Sequence, residues 1–275
     1  MKEISENPFV NWVKWRISKN KNAIIMFNGP TGSGKSWAAL SLAEMLAKEF
    51  DTKFNVGKNI DFKFVNLLKK TMLKGNDKPG TVFLFEEVGA VGSGSSAKEW
   101  MSKANAFFNS FVQTSRHRNQ ILIMTCPSFS NLDASTRRLV HAQVEMLNIN
   151  YQKNVSYCKL FVLQVNPRSG KIYFKYLRFK VGKKKGKLKQ MKLKKPSKRL
   201  INEYEKIKTQ YTTELNQYIL DSDKPVEKQP KRKVSKEQIG MLLSKGLSTK
   251  EIASALNVTM RTIQIYKKGI QNETK

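Results

Sequence analysis

Three strongly apolar runs mark the first half of the chain, at residues 23–27, 81–85 and 121–125, and a threonine stands at one end of the second and of the third. Continuous apolar runs of this length are typical of strands that are buried on both faces. Residues 37–50, between the first two runs, have helical periodicity, and residues 61–73 and 98–116 can form further helices. Helices that alternate with buried strands favour an α/β fold with a mainly parallel central sheet and helices on both of its faces.

The second half of the chain follows other patterns. Residues 139–147 are a candidate fourth strand, and the segments 157–165 and 171–179 flank a turn sequence, which predicts a β-hairpin. Residues 182–200 are dominated by lysine, and residues 197–220 have helical character. These patterns predict three parts: a large α/β domain over residues 1–220, a charged linker over 221–233 and a small all-α domain over 234–275.

The net charge of the chain indicates which kind of partner it binds. Its 275 residues include 51 lysines and arginines against 21 aspartates and glutamates, which gives a net charge of +30. A protein this basic needs a polyanion, a membrane surface or salt to neutralise it, and nucleic acid is the most common such partner. A generally basic proteome would produce the same charge, so charge alone leaves DNA binding open.

Two sequence features bear on where the protein works. Cys126 and Cys158 both lie in apolar, strand-like runs, and we expect them to be reduced core thiols. No basic-then-apolar leader is visible, and no apolar stretch approaches the roughly 18 to 20 residues that a spanning helix needs. We therefore expect a cytoplasmic protein without a membrane span.

The glycine-rich segment after the first apolar run fits the phosphate-binding P-loop pattern G-x-x-x-x-G-K-[ST]. Its residues are Gly29, Pro30, Thr31, Gly32, Ser33, Gly34, Lys35 and Ser36. Glycines let the backbone curl so that successive N–H groups face a phosphate, and the helix that follows adds its dipole. We expect Lys35 to reach the β- and γ-phosphates of ATP and Ser36 to ligate Mg²⁺. A glycine turn without nucleotide is the alternative.

Two adjacent carboxylates, Glu86 and Glu87, end the second apolar run. A buried strand that ends in this way would place Glu86 beside the Mg²⁺ shell. Glu87 would then face the γ-phosphate, where it can polarise an attacking water. The alternative is a solvated acidic pair. Aspartate is the usual residue at the Glu86 position, so the two glutamates are assigned to catalysis jointly.

The two motifs, with residues 113–118 and 125–128, resemble the RecA-like, additional-strand class of P-loop ATPases that use a catalytic glutamate. Within that class, residues 23–144 are similar to the FtsK/HerA-type motors. They are also similar to the zonula-occludens-toxin-like ATPases that viruses and plasmids carry. The resemblance implies that Thr125 senses the γ-phosphate, although the glutamine often found there in FtsK/HerA proteins is absent.

The same resemblance implies an assembly. Ring-forming members of the class supply an arginine to the active site of the neighbouring subunit. We therefore expect a homo-oligomeric ring, for example a hexamer. Arg137 is a candidate for this catalytic role, together with Arg116, Arg118 and Arg138.

The C-terminal segment predicts three short helices. They cover residues 235–244, 249–256 and a third helix from residue 259, with apolar positions on one face that include Ile263, Ile265 and Tyr266 on the third. Residues 246–258 resemble the helix-turn-helix domains of resolvase and LuxR proteins, which implies that the third helix enters the major groove of DNA. The side chains expected at bases or phosphates are Thr259, Arg261, Thr262, Gln264, Lys267 and Lys268. A three-helix module for protein interaction is the alternative.

Three functional hypotheses follow. The first is an ATP-driven DNA motor for translocation, packaging or transfer, encoded by a virus, plasmid or integrated element. The second is a nucleotide-gated regulator that binds a specific DNA sequence. The third, a small-molecule kinase, is disfavoured by the paired glutamates. The lysine-rich stretch after residue 182 fits either a solvated charge run or a stripe that follows phosphates.

Overall fold

The computed structural model describes residues 7–86, 111–112, 115–181, 184–222, 235–256 and 258–273. The chain forms two compact units, residues 1–215 and 216–275. Within the described ranges, every helix is either too short or too polar to cross a lipid bilayer.

Among the described residues, nine strands form one sheet in the first unit. Five of them are parallel and lie in the spatial order β2 (Ile60–Asp61), β3 (Val82–Phe85), β4 (Ile121–Cys126), β1 (Ala23–Asn28) and β5 (Ala142–Asn150). The strand β4 therefore lies between β1, which precedes the P-loop, and β3, which is followed by Glu86. The predicted α/β fold with a mainly parallel core of the sheet is confirmed.

The sheet continues beyond β5 with antiparallel strands. These are β6 (Val155–Val165), β7 (Ile172–Val181), β8 (Lys184–Leu188) and β9 (Gln190–Lys194). One edge of β6 pairs with β5, and its other edge pairs first with β9 and then with β7. The predicted hairpin is confirmed as β6–β7, and most of the lysine-rich stretch forms the two strands β8 and β9.

Helices cover both faces of the parallel strands. In the described part of the first unit they are α1 (Pro8–Ser18), α2 (Lys35–Glu49), α3 (Val56–Asn59), α4 (Phe64–Thr71), α5 (Ala134–Leu139) and α6 (Lys198–Ser222), whose last residues belong to the second unit. Ile25 and Phe27 of β1 pack in one apolar cluster with α1, α2 and α6, whereas Ile24 and Met26 pack in another with α4. This alternation along one strand is the reason why its sequence is apolar at every position from Ala23 to Phe27.

Two helices differ from the sequence prediction or lie partly beyond the described residues. The helix predicted over 61–73 is shorter, because Asp61 pairs with Phe85 as part of β2 and its carboxylate accepts a hydrogen bond from the backbone of Lys63. The helix predicted over 98–116 lies mostly outside the described residues. In this part of the chain, the described residues 111–112 and 115–117 are helical.

His141 acts as a hydrogen-bond acceptor at the start of β5. Its Nδ1 accepts a bond of 3.0 Å from the backbone N–H of Ile24. Burial, together with the smaller effect of the positive charges of Arg16 and Lys21, lowers the pKa of His141 to about 3. The imidazole is therefore neutral at physiological pH and serves the packing of β5 against β1.

The second unit contains the end of α6 and three short helices, α7 (Lys236–Ser244), α8 (Thr249–Ala255) and α9 (Met260–Glu273). Capping boxes start α7 at Ser235 and α8 at Ser248. Ile239, Ile252 and Ile263 form its fully buried core, one from each helix.

The prediction that Ile265 belongs to this core is wrong, since its side chain is 64% exposed. Ile263 occupies the inward position of α9, and a residue two places further along a helix is rotated by about 200°.

Candidate nucleotide-binding and DNA-binding sites

The predicted P-loop joins the end of β1 to the start of α2. Gly29 and Gly34 both have positive φ, and a Cβ at Gly34 would lie 2.8 Å from Cδ1 of Ile149. A side chain is therefore excluded there both by backbone strain and by space. Gly34 is also the N-cap residue of α2. It has no side chain that could accept hydrogen bonds from the first N–H groups of the helix. This arrangement suits a phosphate.

The ammonium of Lys35 lies over the loop. Its Nζ donates hydrogen bonds of 2.8 Å to the carbonyl oxygens of both Gly29 and Pro30. The positive charge is thereby held between the loop backbone and the helix N-terminus, where phosphate oxygens would bind. Cys126 lines the same cavity, but burial raises the pKa of its thiol to about 12, against the opposite effect of Lys35. The thiol is therefore protonated.

Glu86 follows the last residue of β3 and is only 1% exposed. One of its oxygens, Oε2, accepts a 2.9 Å hydrogen bond from the hydroxyl of Ser36 and another of 2.9 Å from the hydroxyl of Tyr204 on α6. The P-loop and the acidic end of β3, predicted to form one site, are in direct contact. Hydroxyl and carboxylate oxygens are the ligands that Mg²⁺ prefers, so this pair fits a magnesium ion. Glu87 lies outside the described residues.

A cavity of about 580 Å³ opens beside these residues. It is lined by the P-loop, by the ends of β4 and β5, by the start of β6 and by one turn of α6, and its lining includes Lys35, Ser36, Thr125 and Ile149. Its volume is in the usual range for small-molecule sites. Thr125 is thus placed at the cavity, while its role as a sensor stays a prediction.

Sequence reasoning missed the contribution of α6. Tyr204, Glu205 and Lys208 line the cavity, and Glu205 accepts a hydrogen bond of 3.2 Å from the indole of Trp37. The ring of Tyr204 is buried against the first core cluster, with Lys208 Nζ 5.7 Å from its centroid. No local motif marks these residues, although the amphipathic pattern of the helix could have indicated that one face is buried.

The candidate arginines lie elsewhere in the chain. Arg137 is on α5, which leads to the start of β5, and it does not line the cavity of its own chain. Arg118 donates a 2.9 Å hydrogen bond to the carbonyl of Thr71, and Arg138 packs against Gly170. A catalytic role of Arg137 in a neighbouring subunit therefore stays a prediction.

The residues predicted to contact DNA lie at or on α9. Arg261, Gln264 and Lys267 are exposed, as expected for side chains offered to a ligand. The hydroxyl of Thr259 lies 2.9 Å from that of Thr262 and accepts the backbone N–H of Thr262, so this pair caps the helix. Lys268 also lies on α9, and its side chain is outside the described part.

Comparisons with known proteins match a family model to each of the two domains. Residues 25–148 match the family model of the ATPase family associated with various cellular activities (AAA), and residues 237–273 match that of the bacterial regulatory proteins, luxR family. The comparison with curated proteins gave no match.

Two solved structures are similar to this chain at low sequence identity. One is the N-terminal domain of zonular occludens toxin from Neisseria meningitidis, at 14% identity and a TM-score of 0.34, covering 57% of this chain and 95% of that one. Another is the genome packaging NTPase B204 from Sulfolobus turreted icosahedral virus 2, solved with AMP, at 10% identity and a TM-score of 0.29, covering 56% of this chain and 96% of that one. On the family matches and the geometry above, residues 25–148 are a P-loop ATPase domain of the AAA type, and residues 237–273 are a helix-turn-helix domain of the luxR type.

Proposed function

We propose that this chain is a DNA motor, which couples ATP hydrolysis to the translocation, packaging or transfer of DNA for a virus, plasmid or integrated element. The observation that supports the ATPase part most directly is the contact between the Ser36 hydroxyl and Glu86 Oε2 beside Lys35. The helix-turn-helix domain in the same chain supports DNA as the partner.

Each residue of the site has a role in this proposal. Lys35 and the N-terminus of α2 bind the β- and γ-phosphates. Ser36 and Glu86 would hold Mg²⁺, which would neutralise charge on the phosphates. Glu87, the next residue, orients the water that attacks the γ-phosphate. Thr125 senses that phosphate at the end of β4.

The assembly is also part of the proposal. A ring of identical subunits would let Arg137 of one subunit reach the nucleotide of the next, where such an arginine increases the rate by roughly 10³ to 10⁵. A ring would also multiply the weak DNA affinity of a helix-turn-helix domain of this small size. The net charge of +30 favours the approach of DNA to every subunit.

The test is ATP turnover with and without duplex DNA. We expect DNA to raise turnover several-fold in the wild type and Lys35→Ala to abolish it under both conditions. Lys48→Ala removes the same charge from the exposed last turn of the same helix and should match the wild type. A failure to bind Mg·ATP at millimolar concentration, or turnover that no DNA changes, would overturn the motor.

A nucleotide-gated regulator is a second candidate, because the luxR family match covers bacterial regulatory proteins. This function requires tight binding to one DNA sequence that depends on the bound nucleotide, together with slow turnover. Footprinting on random-sequence DNA, with ATP and with ADP, separates the candidates, since a motor protects no single sequence.

A further inference from the structure

The antiparallel strands β6 to β9 have two chemically different faces. Side chains alternate between the faces of a strand, and the positions on one side are buried in the first core cluster, among them Leu160, Leu177, Met191 and Leu193. The register of the strands then assigns the remaining positions to the opposite side, where Phe161 and Leu163 pack in the second core cluster and the strand positions beyond them face outward.

The outward side carries a cluster of cations that we call the basic sheet face. Its residues are exposed and consist of Arg178, Lys180, Lys185, Lys187, Lys192 and Lys194. Residues 155–194 contain no aspartate or glutamate, and the register places Glu145 of β5 on this side, opposite Lys159. The face is therefore positive across the three strands β7, β8 and β9.

Two cation pairs on this face lie directly opposite each other. Arg178 faces Lys187, and Lys180 faces Lys185, across the β7–β8 ladder. Like charges at directly opposed positions destabilise a sheet. A bound polyanion would relieve this repulsion, and a second copy of the same positive face would increase it.

Aromatic rings adjoin these cations on the same side. Phe174 is 48% exposed and Tyr176 is 37% exposed, and their ring centroids lie 6.1 and 5.1 Å from that of Phe161 on the neighbouring strand. Exposed rings next to a row of cations are the combination that binds single strands, because phosphates pair with the cations while unpaired bases stack on the rings. A duplex keeps its bases stacked internally and could use only the cations.

We propose that the basic sheet face binds single-stranded DNA, with Phe174 and Tyr176 as the stacking platform. The proposal deepens the proposed function, because it adds a second DNA contact in the ATPase domain, and it rests on that function for the choice of DNA as the polynucleotide. The residues that carry it are separate from the nucleotide cavity, so the two proposals can fail independently.

Fluorescence anisotropy of labelled (dT)₂₀ with the full chain tests this proposal. We expect Phe174→Leu, which keeps an apolar side chain but removes the ring, to weaken binding at least about five-fold. Lys180→Gln/Lys185→Gln should weaken binding and reduce the slope of log affinity against log salt by about 1.4, which corresponds to two phosphate contacts on a single strand. Both variants should keep the ATP turnover that the wild type has without DNA.

Matched controls make the same changes away from the face. Trp15→Leu removes a half-exposed ring from α1, and Lys53→Gln/Lys78→Gln removes two exposed cations from loops of the same unit. We expect wild-type affinity for (dT)₂₀ from both. Equal losses from control and test variants would overturn the proposal, because they would show a general effect of charge or of ring removal.

Other occupants of the face give different results. The proposal is overturned if (dT)₂₀ binding is unchanged in the test variants while they lose binding to phosphatidylserine vesicles or change their mass in light scattering. Tighter binding of (U)₂₀ than of (dT)₂₀ would overturn the assignment to DNA. If the variants bind (dT)₂₀ like the wild type and duplex DNA still stimulates ATP turnover, the inference is wrong and the proposed motor stands.

Discussion

The hydrogen bond between Tyr204 and Glu86 permits a sharp test of the nucleotide site. Tyr204→Phe removes one hydroxyl group and leaves the ring in the core. The hydroxyl donates a 2.9 Å bond to Oε2 of Glu86, and both side chains are only 1% exposed. Water cannot readily replace the lost donor at such a place. We expect Glu86 to lose part of its fixed orientation towards Ser36.

The magnitude follows from the kind of bond that is lost. A hydrogen bond to a charged group contributes about 1.5–3 kcal/mol. If all of it acted in the transition state, kcat would fall roughly 10- to 150-fold, since about 1.4 kcal/mol corresponds to a factor of ten. Ser36 still donates to the same oxygen, so we expect a decrease of about ten-fold, at the lower end of this range.

Steady-state ATP turnover separates a positioning role from a structural one. We expect kcat to fall while the KM for ATP stays within about two-fold, because Lys35 and the loop still bind the phosphates, and half-saturation by Mg²⁺ should require a higher concentration. Tyr211→Phe makes the same change on the same helix, where the ring stacks on Phe62 at 4.5 Å, and it should leave kcat near the wild-type value. A kcat within two-fold of wild type for Tyr204→Phe, with normal Mg²⁺ dependence, would refute the positioning role.

Three further predictions concern the loop, the sheet and the small domain. Gly34→Ala should weaken ATP binding more than ten-fold in a fluorescent-nucleotide titration, since its Cβ would lie only 2.8 Å from Cδ1 of Ile149. The control Gly75→Ala, also at positive φ but in open space, should cost only about 1 kcal/mol of stability. The lowered pKa of His141 means that the unfolded chain takes up a proton below about pH 6.5 and the folded chain does not, so this group makes stability fall by up to about 1.4 kcal/mol per pH unit from there towards pH 3. His141→Asn, which can still accept the bond from Ile24, should show a smaller loss between pH 7 and 5 in urea melts, and an equal loss would contradict this reasoning. Ile263→Ala should destabilise the C-terminal unit by about 2–4 kcal/mol in calorimetry and weaken duplex binding without changing DNA-free ATP turnover.

The parts of the fold that could be predicted are those that a short stretch of sequence determines. The buried strands β1, β3 and β4 are apolar at every position except Asn28 and Thr125 because helices cover both faces of the sheet. This pattern is visible within six residues. The P-loop is visible for a related reason: glycine is required where φ is positive and where Ile149 leaves no room at Gly34.

Other features depend on what packs against a segment, and the segment itself does not contain that information. The lysines of β8 and β9 alternate with apolar residues in a pattern that suits a loop or an edge strand. Pairing of Met191 with Cys158 and of Leu188 with Leu177 decides in favour of strands. The prediction for Ile265 fails for the same reason. Three short helices bury only a narrow stripe of side chains on each helix, and the sequence of α9 alone does not define which stripe that is.

The candidate site also contains one residue that its local sequence indicates and one that depends on the packing of a distant segment. Glu86 could be proposed from sequence because it ends a buried strand, and a carboxylate at such a place needs a partner. Its partner Tyr204 lies 118 residues further along the chain on a helix whose sequence contains no motif. Tyr204 and Tyr211 are one heptad apart on the same side of that helix, and both rings stack near Phe62. Periodicity can therefore indicate that both are buried, but only the position of β3 beneath the helix distinguishes the tyrosine that touches Glu86 from the one that serves packing.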